Sequence, residues 1–455
     1  MTDQHQQSIV SRFLSCLIPV VKRNPYASRA IGFILDNPLY KGVLILGSGT
    51  AVAQLIGIVT MPIITRLYTP ADLGVLAVYS SVLAIFGVGA TLRYEFAYAL
   101  PKENDDAINL FGLSLILLCL TTAGFALILL FGRDLLVNTF DLGAIEQYIW
   151  FLLIGFFGTG LYTTLNYWAV RQRDYKRITY TKINQGAGGS LCKVLLGILA
   201  FGPVGLIIGH IISQVAGITT LARAMWKKER KNLKVISWSR MKSVARKYRS
   251  FPVFNFPASI VNTMSLQLPP LMLLALYDSE VVGFYALANM LVVLPGSLIS
   301  GSMGQAYLGE ASKMARERSQ ELRSLYVRTL KHLFIISVPL IGIPALCTPF
   351  VTPFIFGGAW AEAGWYCWPL AGMVIANFVA SPISHLQLYG YNRWILMWDV
   401  VRVIAVIVTF YLSYLLKLSV LMAITTYVVA MFGMYIILVI LNSMAIMRFT
   451  SKIAE

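Results

Sequence analysis

Apolar runs of about 20 residues recur from Val43 to Met447, each long enough to cross a hydrocarbon core of about 30 Å as an α-helix. Because lipid offers no water to satisfy backbone amides, such runs fold as helices. Only 13% of the 455 residues are charged, against about 25% in soluble proteins. The sequence therefore predicts an all-α integral membrane protein. It excludes soluble enzymes, nucleic-acid-binding modules and secreted disulfide scaffolds.

Turn residues divide the apolar runs into twelve predicted membrane spans. The spans are expected at 43–64, 72–93, 108–131, 147–170, 183–201, 204–225, 252–275, 281–304, 328–350, 365–388, 394–416 and 419–447. Residues 183–225 leave a second interpretation open, a single kinked segment. The predicted division is an N-terminal segment (1–42), a first lobe (43–225), a basic linker (226–251), a second lobe (252–447) and a tail (448–455).

The distribution of basic residues predicts the orientation of these spans. Of the 37 lysines and arginines, 32 fall on the side that carries both termini, 3 fall on the other side and 2 lie within spans. Basic residues favour the cytoplasmic side of a membrane, so both termini are expected in the cytoplasm. The net charge of +17 then faces anionic lipid and requires no nucleic acid.

The central linker is the most basic stretch of the chain. Two interpretations of residues 239–249 stay open: an amphipathic helix on the inner leaflet, or a solvated connection that fixes the topology. Six spans on either side would place the two halves in the same orientation, as in a parallel repeat. A weak repeat supports this duplication, because four residues recur at an offset of 209: Leu67, Tyr68, Gly74 and Ala77 match Leu276, Tyr277, Gly283 and Ala286.

Catalytic and metal-binding patterns are absent from the sequence. It contains no phosphate-binding P-loop, and its five cysteines have no metal-ligand or disulfide spacing. The predicted outer loops do not exceed about fifteen residues, too few for the acceptor site of a membrane glycan polymerase or ligase. We therefore expect a transporter that needs no cofactor or metal.

Ionisable residues within spans are informative because each costs several kcal/mol unless it faces a cavity or a partner. Lys193 is expected near the membrane midplane, with no acidic residue at helical spacing, which favours a cavity-facing role. Asp399 and Arg402 share a helix face, and a structural ion pair is the favoured interpretation. Arg66 and the pair Arg93 and Glu95 lie near span ends, where long side chains ordinarily reach the interface.

Two further groups leave functional and structural interpretations open. A polar stripe in span six either lines a cavity or packs helices together; it contains His210, Ser213, Gln214 and Gly217. Aromatic residues at one end of span ten are more typical of an interfacial belt than of a sugar platform; they are Trp360, Trp365, Tyr366 and Trp368. The unpaired intramembrane charge is positive, which suits an anionic, phosphate-bearing substrate.

Four segments resemble one family. Residues 62–74, PIITRLYTPADLG, and 93–102, RYEFAYALPK, are similar to the outer turn and the end of the second span of Wzx-type polysaccharide flippases. Residues 251–262 and 283–289 resemble the start of the seventh span and part of the eighth. Met290 departs from the pattern, because many relatives carry a basic residue there.

The resemblance implies two six-helix lobes in a V shape that work by alternating access. It also implies flipping of an undecaprenyl-pyrophosphate-linked oligosaccharide across the inner membrane, for O-antigen, capsule or a similar surface glycan, coupled to a proton or sodium gradient. Membrane lipids and a polysaccharide polymerase with its chain-length machinery are the implied partners. Pyrophosphate would be attracted by Lys193, Arg66, Arg93 and Arg402.

Candidate ion-coupling residues are Glu95, Asp399 and His210, each of which also has an ordinary structural explanation. Two alternatives to the flippase stay open: a lipid II flippase, and a cation-coupled multidrug exporter of the same multidrug/oligosaccharidyl-lipid/polysaccharide superfamily. The exporter is disfavoured by the lack of an acidic residue in span one, which contains Gln54 but no carboxylate.

Overall fold

The computed structural model describes residues 38–132, 142–317 and 321–454, and every regular element in these ranges is a helix. Most of the predicted N-terminal segment lies outside the described residues, as do Arg133, Asp134 and Asp141 of one predicted outer loop. The first lobe contains α1 (Pro38–Leu67), α2 (Pro70–Gly87), α3 (Asn104–Phe131), α4 (Ile149–Arg171), α5 (Tyr175–Ile198), α6 (Pro203–Val215) and α7 (Ile218–Glu229).

The linker forms α8 (Trp238–Lys247), and the second lobe contains α9 (Phe256–Leu276), α10 (Ser279–Arg316), α11 (Leu322–Ser337), α12 (Ile343–Phe356), α13 (Ala361–Ala380), α14 (Asn392–Leu415) and α15 (Val420–Ala454). Helices α6 and α7 form one span with a break at Gly217, whose φ is 107°. Helices α11 and α12 likewise form one span through a π-helical turn.

Eleven spans in the described residues are long and apolar enough to cross a membrane. Helix α5 supplies the twelfth span of the bundle, although its first half is polar. The predicted all-α, twelve-helix architecture in two lobes is therefore confirmed. The single-segment interpretation of 183–225 is wrong, because α5 ends at Ile198 and α6 begins at Pro203 and packs beside it.

Several boundaries differ from the sequence prediction, among them those of α2, α5 and α10. Helix α5 begins at Tyr175, eight residues earlier than expected, so Lys193 lies five residues from the far end of the helix and not near its middle. Helix α2 ends at Gly87, well before residue 93. Helix α10 runs 38 residues to Arg316, into the predicted loop at 305–331. Hydropathy misses the start of α5 and the end of α10 because polar residues continue these helices beyond their apolar segments.

The linker packs on the first lobe. Arg240 and Lys247 of α8 contact Asp105 and Asp106 at the start of α3, at 2.7 and 3.1 Å. The hydrogen bond with Asp106 raises the pKa of the Lys247 ammonium. Val244 is buried in the same cluster of apolar side chains as α3. The predicted amphipathic helix is therefore present, and its apolar side contacts protein.

The internal repeat lies at the contact between the lobes. Thr69 and Asp278 cap α2 and α10 at equivalent positions. Where these helices cross, a Cβ on Gly74 would overlap the Ser279 carbonyl, and a Cβ on Gly283 would overlap the Pro70 carbonyl. The two glycines therefore allow a reciprocal close approach, as a twofold-related pair requires.

A second part of the repeat has an offset of 217. The turn between α5 and α6 matches the turn between α14 and α15, with positive φ at Ala200 (56°) and Lys417 (48°). The backbone hydrogen bonds correspond one by one: those donated by residues 199, 200 and 201 recur at 416, 417 and 418. The two halves thus share a backbone plan on the face opposite to the basic loops.

Candidate functional site

A cavity of about 420 Å³ lies in the first lobe where it faces α9 of the second lobe. Its polar lining combines charged, imidazole, amide and hydroxyl groups, and small residues from α2 and α4 leave the space open. The lining includes Ser80, Gly87, Thr91, Arg93, Glu95, Thr159, Thr163, His210, Gln214, Thr263 and Gln267. Three of the predicted site residues, Arg93, Glu95 and His210, therefore meet in one wall.

The chain unwinds beside this cavity. After α2 ends at Gly87, a turn segment leads to the 3₁₀ helix Tyr94–Ala99, and Leu92 and Arg93 adopt left-handed backbone with φ of 51° and 65°. Such a backbone costs a non-glycine residue about 1–2 kcal/mol. Non-helical backbone at membrane depth is tolerated where it is buried in protein or lines a cavity, and here it turns Arg93 toward the cavity.

Arg93 and Glu95 form a loose pair. Their side chains are 3.7 Å apart, and 20% of the Arg93 side chain is exposed against 3% of Glu95. Glu95 also accepts a short hydrogen bond from Thr91. The Arg93 guanidinium lies 5.0 Å from the Phe96 ring, and its Nε is buried without a partner in the described residues. The guanidinium therefore retains unused hydrogen-bonding capacity.

His210 is held within the polar stripe of α6. Its Nε2 lies 3.5 Å from the Gln214 amide, and its ring meets Tyr79 edge to face. Ser213 instead packs against Gly189 of α5. The stripe thus combines both interpretations, because His210 and Gln214 line the cavity whereas Ser213 packs helices together.

Lys193 lies behind this wall. Its stem packs on Gly209, the neighbour of His210, and its carbonyl accepts a 2.7 Å hydrogen bond from the Tyr68 hydroxyl. Among residues 38–132, 142–317 and 321–454, no carboxylate lies within 4 Å of the Lys193 ammonium. Lys193 is not part of the cavity lining, and its stem lies against the residue next to His210, which does line the cavity.

Asp399 and Arg402 form a buried ion pair in the second lobe. The Asp399 carboxylate accepts a 2.9 Å hydrogen bond from the Arg402 guanidinium and a 3.2 Å hydrogen bond from the Asn262 side-chain amide. The guanidinium also lies over the Trp398 ring at 4.4 Å. The two charges neutralise each other away from the cavity, as the structural interpretation predicts.

The remaining candidates lie elsewhere. Arg66 is exposed at the end of α1. Trp360 is buried and donates to the Thr65 carbonyl across the lobes at 2.8 Å, and Tyr366 donates to Glu362. Trp365 and Trp368 are exposed. Met290 is partly buried in the apolar core.

Sequence reasoning missed the contribution of α9 to the cavity. Thr263 and Gln267 line it, and the Ser81 hydroxyl donates a 3.1 Å hydrogen bond to the side-chain amide oxygen of Gln267. A polar amide within an apolar span was the available signal.

A family profile described as "Polysaccharide biosynthesis protein" matches residues 63–364, about two thirds of the chain. The chain belongs to this family. The match includes the unwound segment, the cavity residues of both lobes and the glycine crossing of α2 and α10. No curated protein matches the chain at the sequence level.

Solved structures share the fold. An inward-facing multidrug resistance MATE family transporter of the MOP superfamily has a TM-score of 0.68 and 16% identity, over 89% of this chain and 96% of that one. An outward-facing MATE family transporter of the MOP superfamily has a TM-score of 0.53 and 16% identity, over 92% of this chain and 97% of that one. A MOP superfamily transporter from Pyrococcus furiosus has a TM-score of 0.56 and 15% identity, over 91% of this chain and 97% of that one. It is described as having a binding pocket of reverse polarity. This member of the polysaccharide biosynthesis family thus shares the multi-pass helical fold of MOP-type transporters.

Proposed function

We propose that this protein flips an undecaprenyl-pyrophosphate-linked oligosaccharide from the cytoplasmic to the outer leaflet of the inner membrane. The observation that carries the proposal is the excess of positive charge at the cavity. Arg93 lines it with unused donors, Lys193 lies behind it without a carboxylate within 4 Å in the described ranges, and Glu95 is the acid in its lining. Guanidinium and ammonium groups are suited to pyrophosphate.

The lobe contacts support entry from the cytoplasm. On the face opposite to the basic loops, α2 crosses α10 at Gly74 and Gly283, and Trp360 bonds to Thr65. This closure corresponds to the inward-facing state of an alternating-access cycle. Pyrophosphate would meet Arg93 first, then the region of His210 and Lys193, and then Arg66 near the exit.

Coupling to a proton or sodium gradient belongs to the same proposal. Glu95 and His210 share the cavity wall, so either one can exchange ions where substrate binds. Asp399 is held in its buried pair with Arg402. We therefore assign this pair a structural role and place both substrate recognition and coupling in the first lobe.

The test follows lipid-linked oligosaccharide in cells that lack the protein and are complemented with variants. Arg93→Gln and Lys193→Met are expected to trap the lipid on the cytoplasmic leaflet, where an impermeant lectin cannot reach it. A charge-assisted hydrogen bond is worth about 1.5–3 kcal/mol, which is a loss of about 10- to 150-fold in affinity. Arg223→Gln, an exposed cation on the basic face, is the matched control.

Three outcomes would contradict the proposal. Normal lectin access in both variants would remove the cations from the mechanism. A growth arrest with depletion of outer-leaflet lipid II would indicate the lipid II flippase. A change in drug tolerance with unaltered surface glycan would indicate a multidrug exporter.

A further inference from the structure

The matching turns align α5 and α6 of the first lobe with α14 and α15 of the second, at the offset of 217. Three positions at the interface of each helix pair then correspond. Lys193 corresponds to Phe410, Gly209 to Thr426 and His210 to Tyr427. Because the two turns have the same backbone, the difference in packing and charge between the two interfaces comes from these side chains.

In the second lobe the interface is sealed. Phe410 stacks on Tyr427 with ring centroids 5.5 Å apart, and the two residues are 1% and 5% exposed. Thr426 fills the space beside them, donating to the Ala423 carbonyl at 2.9 Å and lying 3.3 Å from the Ser413 hydroxyl. The three side chains that correspond to Lys193, Gly209 and His210 are therefore packed together and uncharged.

In the first lobe, Gly209 leaves the space into which the Lys193 stem fits. A Cβ built on Gly209 would overlap Cγ of Lys193, and it would lie 3.1 Å from both the Gly189 carbonyl oxygen and the Lys193 amide nitrogen. Backbone atoms surround the position, so the lysine stem would have to move if a side chain were added at residue 209.

We infer that Gly209 is the positioning residue that directs Lys193 across α6, against His210 and the wall of the cavity. The inference rests on the proposed function, because it gives Lys193 its role in holding the pyrophosphate group. It adds that specificity for an anion depends on the absence of a side chain at residue 209. The equivalent Thr426 accompanies uncharged side chains, Phe410 and Tyr427, at the other two corresponding positions.

The test measures binding of geranyl pyrophosphate, a short soluble prenyl pyrophosphate, to the purified full-length protein. Gly209→Ala is expected to weaken binding about tenfold, the loss of one charge-assisted contact. Gly188→Ala is the matched control on the same pair of helices, because its Cβ would meet Ile212 at an ordinary 3.5 Å. Geraniol, which lacks the pyrophosphate, should bind Gly209→Ala and wild type equally.

The decisive measurement is a double-mutant cycle. If Gly209 acts through Lys193, Gly209→Ala has no effect in a Lys193→Met background, since coupled residues are non-additive. Equal losses in both backgrounds would overturn the inference and assign Gly209 to general packing. Two other results would overturn the proposed function, and the inference with it. One is a wild-type protein that does not bind geranyl pyrophosphate, and the other is a Lys193→Met variant that binds it as tightly as wild type does.

A second variant covers the case in which Gly209→Ala does not fold. The triple variant Lys193→Phe/Gly209→Thr/His210→Tyr introduces into the first lobe the side chains that stand at the corresponding positions of the second lobe. It is expected to fold and to lose pyrophosphate binding. Retained binding in this variant would overturn the proposed role of Lys193, and the inference with it.

Discussion

The two lobes share a backbone plan but differ in where they hold charge. In the second lobe, Asp399 and Arg402 neutralise each other within 2.9 Å, and α10 continues without a break past the position where α2 stops. In the first lobe, α2 unwinds after Gly87 and Lys193 has no carboxylate within 4 Å in the described ranges. Duplication of the backbone therefore did not duplicate the site, because uncompensated charge depends on individual side chains.

The largest expected effect breaks the neutral pair of the second lobe. Arg402→Met leaves Asp399 buried without its cation, and removing one partner of a buried pair costs about 3–5 kcal/mol. Lys193→Met should not lower the free energy of unfolding, because an unpaired cation within a span itself costs about 2.5–3.5 kcal/mol. Unfolding of the two variants in detergent measures the difference.

The double variant Asp399→Leu/Arg402→Met is the control for that comparison. It should recover most of the lost stability, since apolar replacements remove both buried charges. Similar stability of Arg402→Met and wild type would contradict the assignment of a structural role to the pair.

The next largest effect is expected at the symmetric crossing of α2 and α10. Gly74→Val and Gly283→Val each force a side chain into the opposing backbone, and overpacking costs about 1–3 kcal/mol. Both should open the contact between α2 and α10, a shift of about 5- to 150-fold in population. The readout is the distance between spin labels at Phe201 and Leu416, exposed residues of the two lobes, in a background without native cysteines.

Gly433→Val is the control, because no atom lies within 4 Å of its Cβ position. An increase in distance for one glycine variant alone would show that the crossing is not reciprocal.

A smaller effect is expected at the hydrogen bond that joins the lobes. Trp360→Phe removes the donor to the Thr65 carbonyl, worth about 0.5–1.5 kcal/mol. The same label distance should shift by about two- to tenfold in population. Trp398→Phe removes a bond of equal length, 2.8 Å to the Met434 carbonyl, within the second lobe. Trp398→Phe should lower stability and leave the distance distribution between the labels unchanged. A shifted distribution in Trp398→Phe would contradict a specific role of the Trp360–Thr65 hydrogen bond in holding the lobes together.

The smallest effect concerns the backbone of α2 and α10. Leu92 has left-handed φ, whereas the equivalent Gly301 lies within a continuous helix. Leu92→Gly should therefore relieve strain, and Gly301→Ala should raise helix stability by about 0.5–1 kcal/mol. Thermal unfolding of each variant measures these gains. A loss in Leu92→Gly would indicate that the leucine side chain, not the backbone, holds the turn.

The spans were predictable because membrane insertion depends on local hydropathy, and each of the twelve predicted spans coincides with a helical segment. The start of α5 and the ends of α2 and α10 were not predictable in this way. Residues 88–92 contain no charged side chain that would mark the end of a span, and the unwound segment is held by contacts among Thr91, Arg93 and Glu95 in the cavity wall. Hydropathy carries no information on such contacts.

The sequence by itself determined the membrane class, the topology, the pairing of Asp399 with Arg402 and the candidate charges. Each of these follows from residue type at short spacing along a helix. The tertiary structure alone brought Arg93, Glu95 and His210 to one cavity, placed Lys193 behind the lining of that cavity and matched Gly74 with Gly283. These relations join residues up to about 200 positions apart, and they depend on how helices pack rather than on where the helices occur.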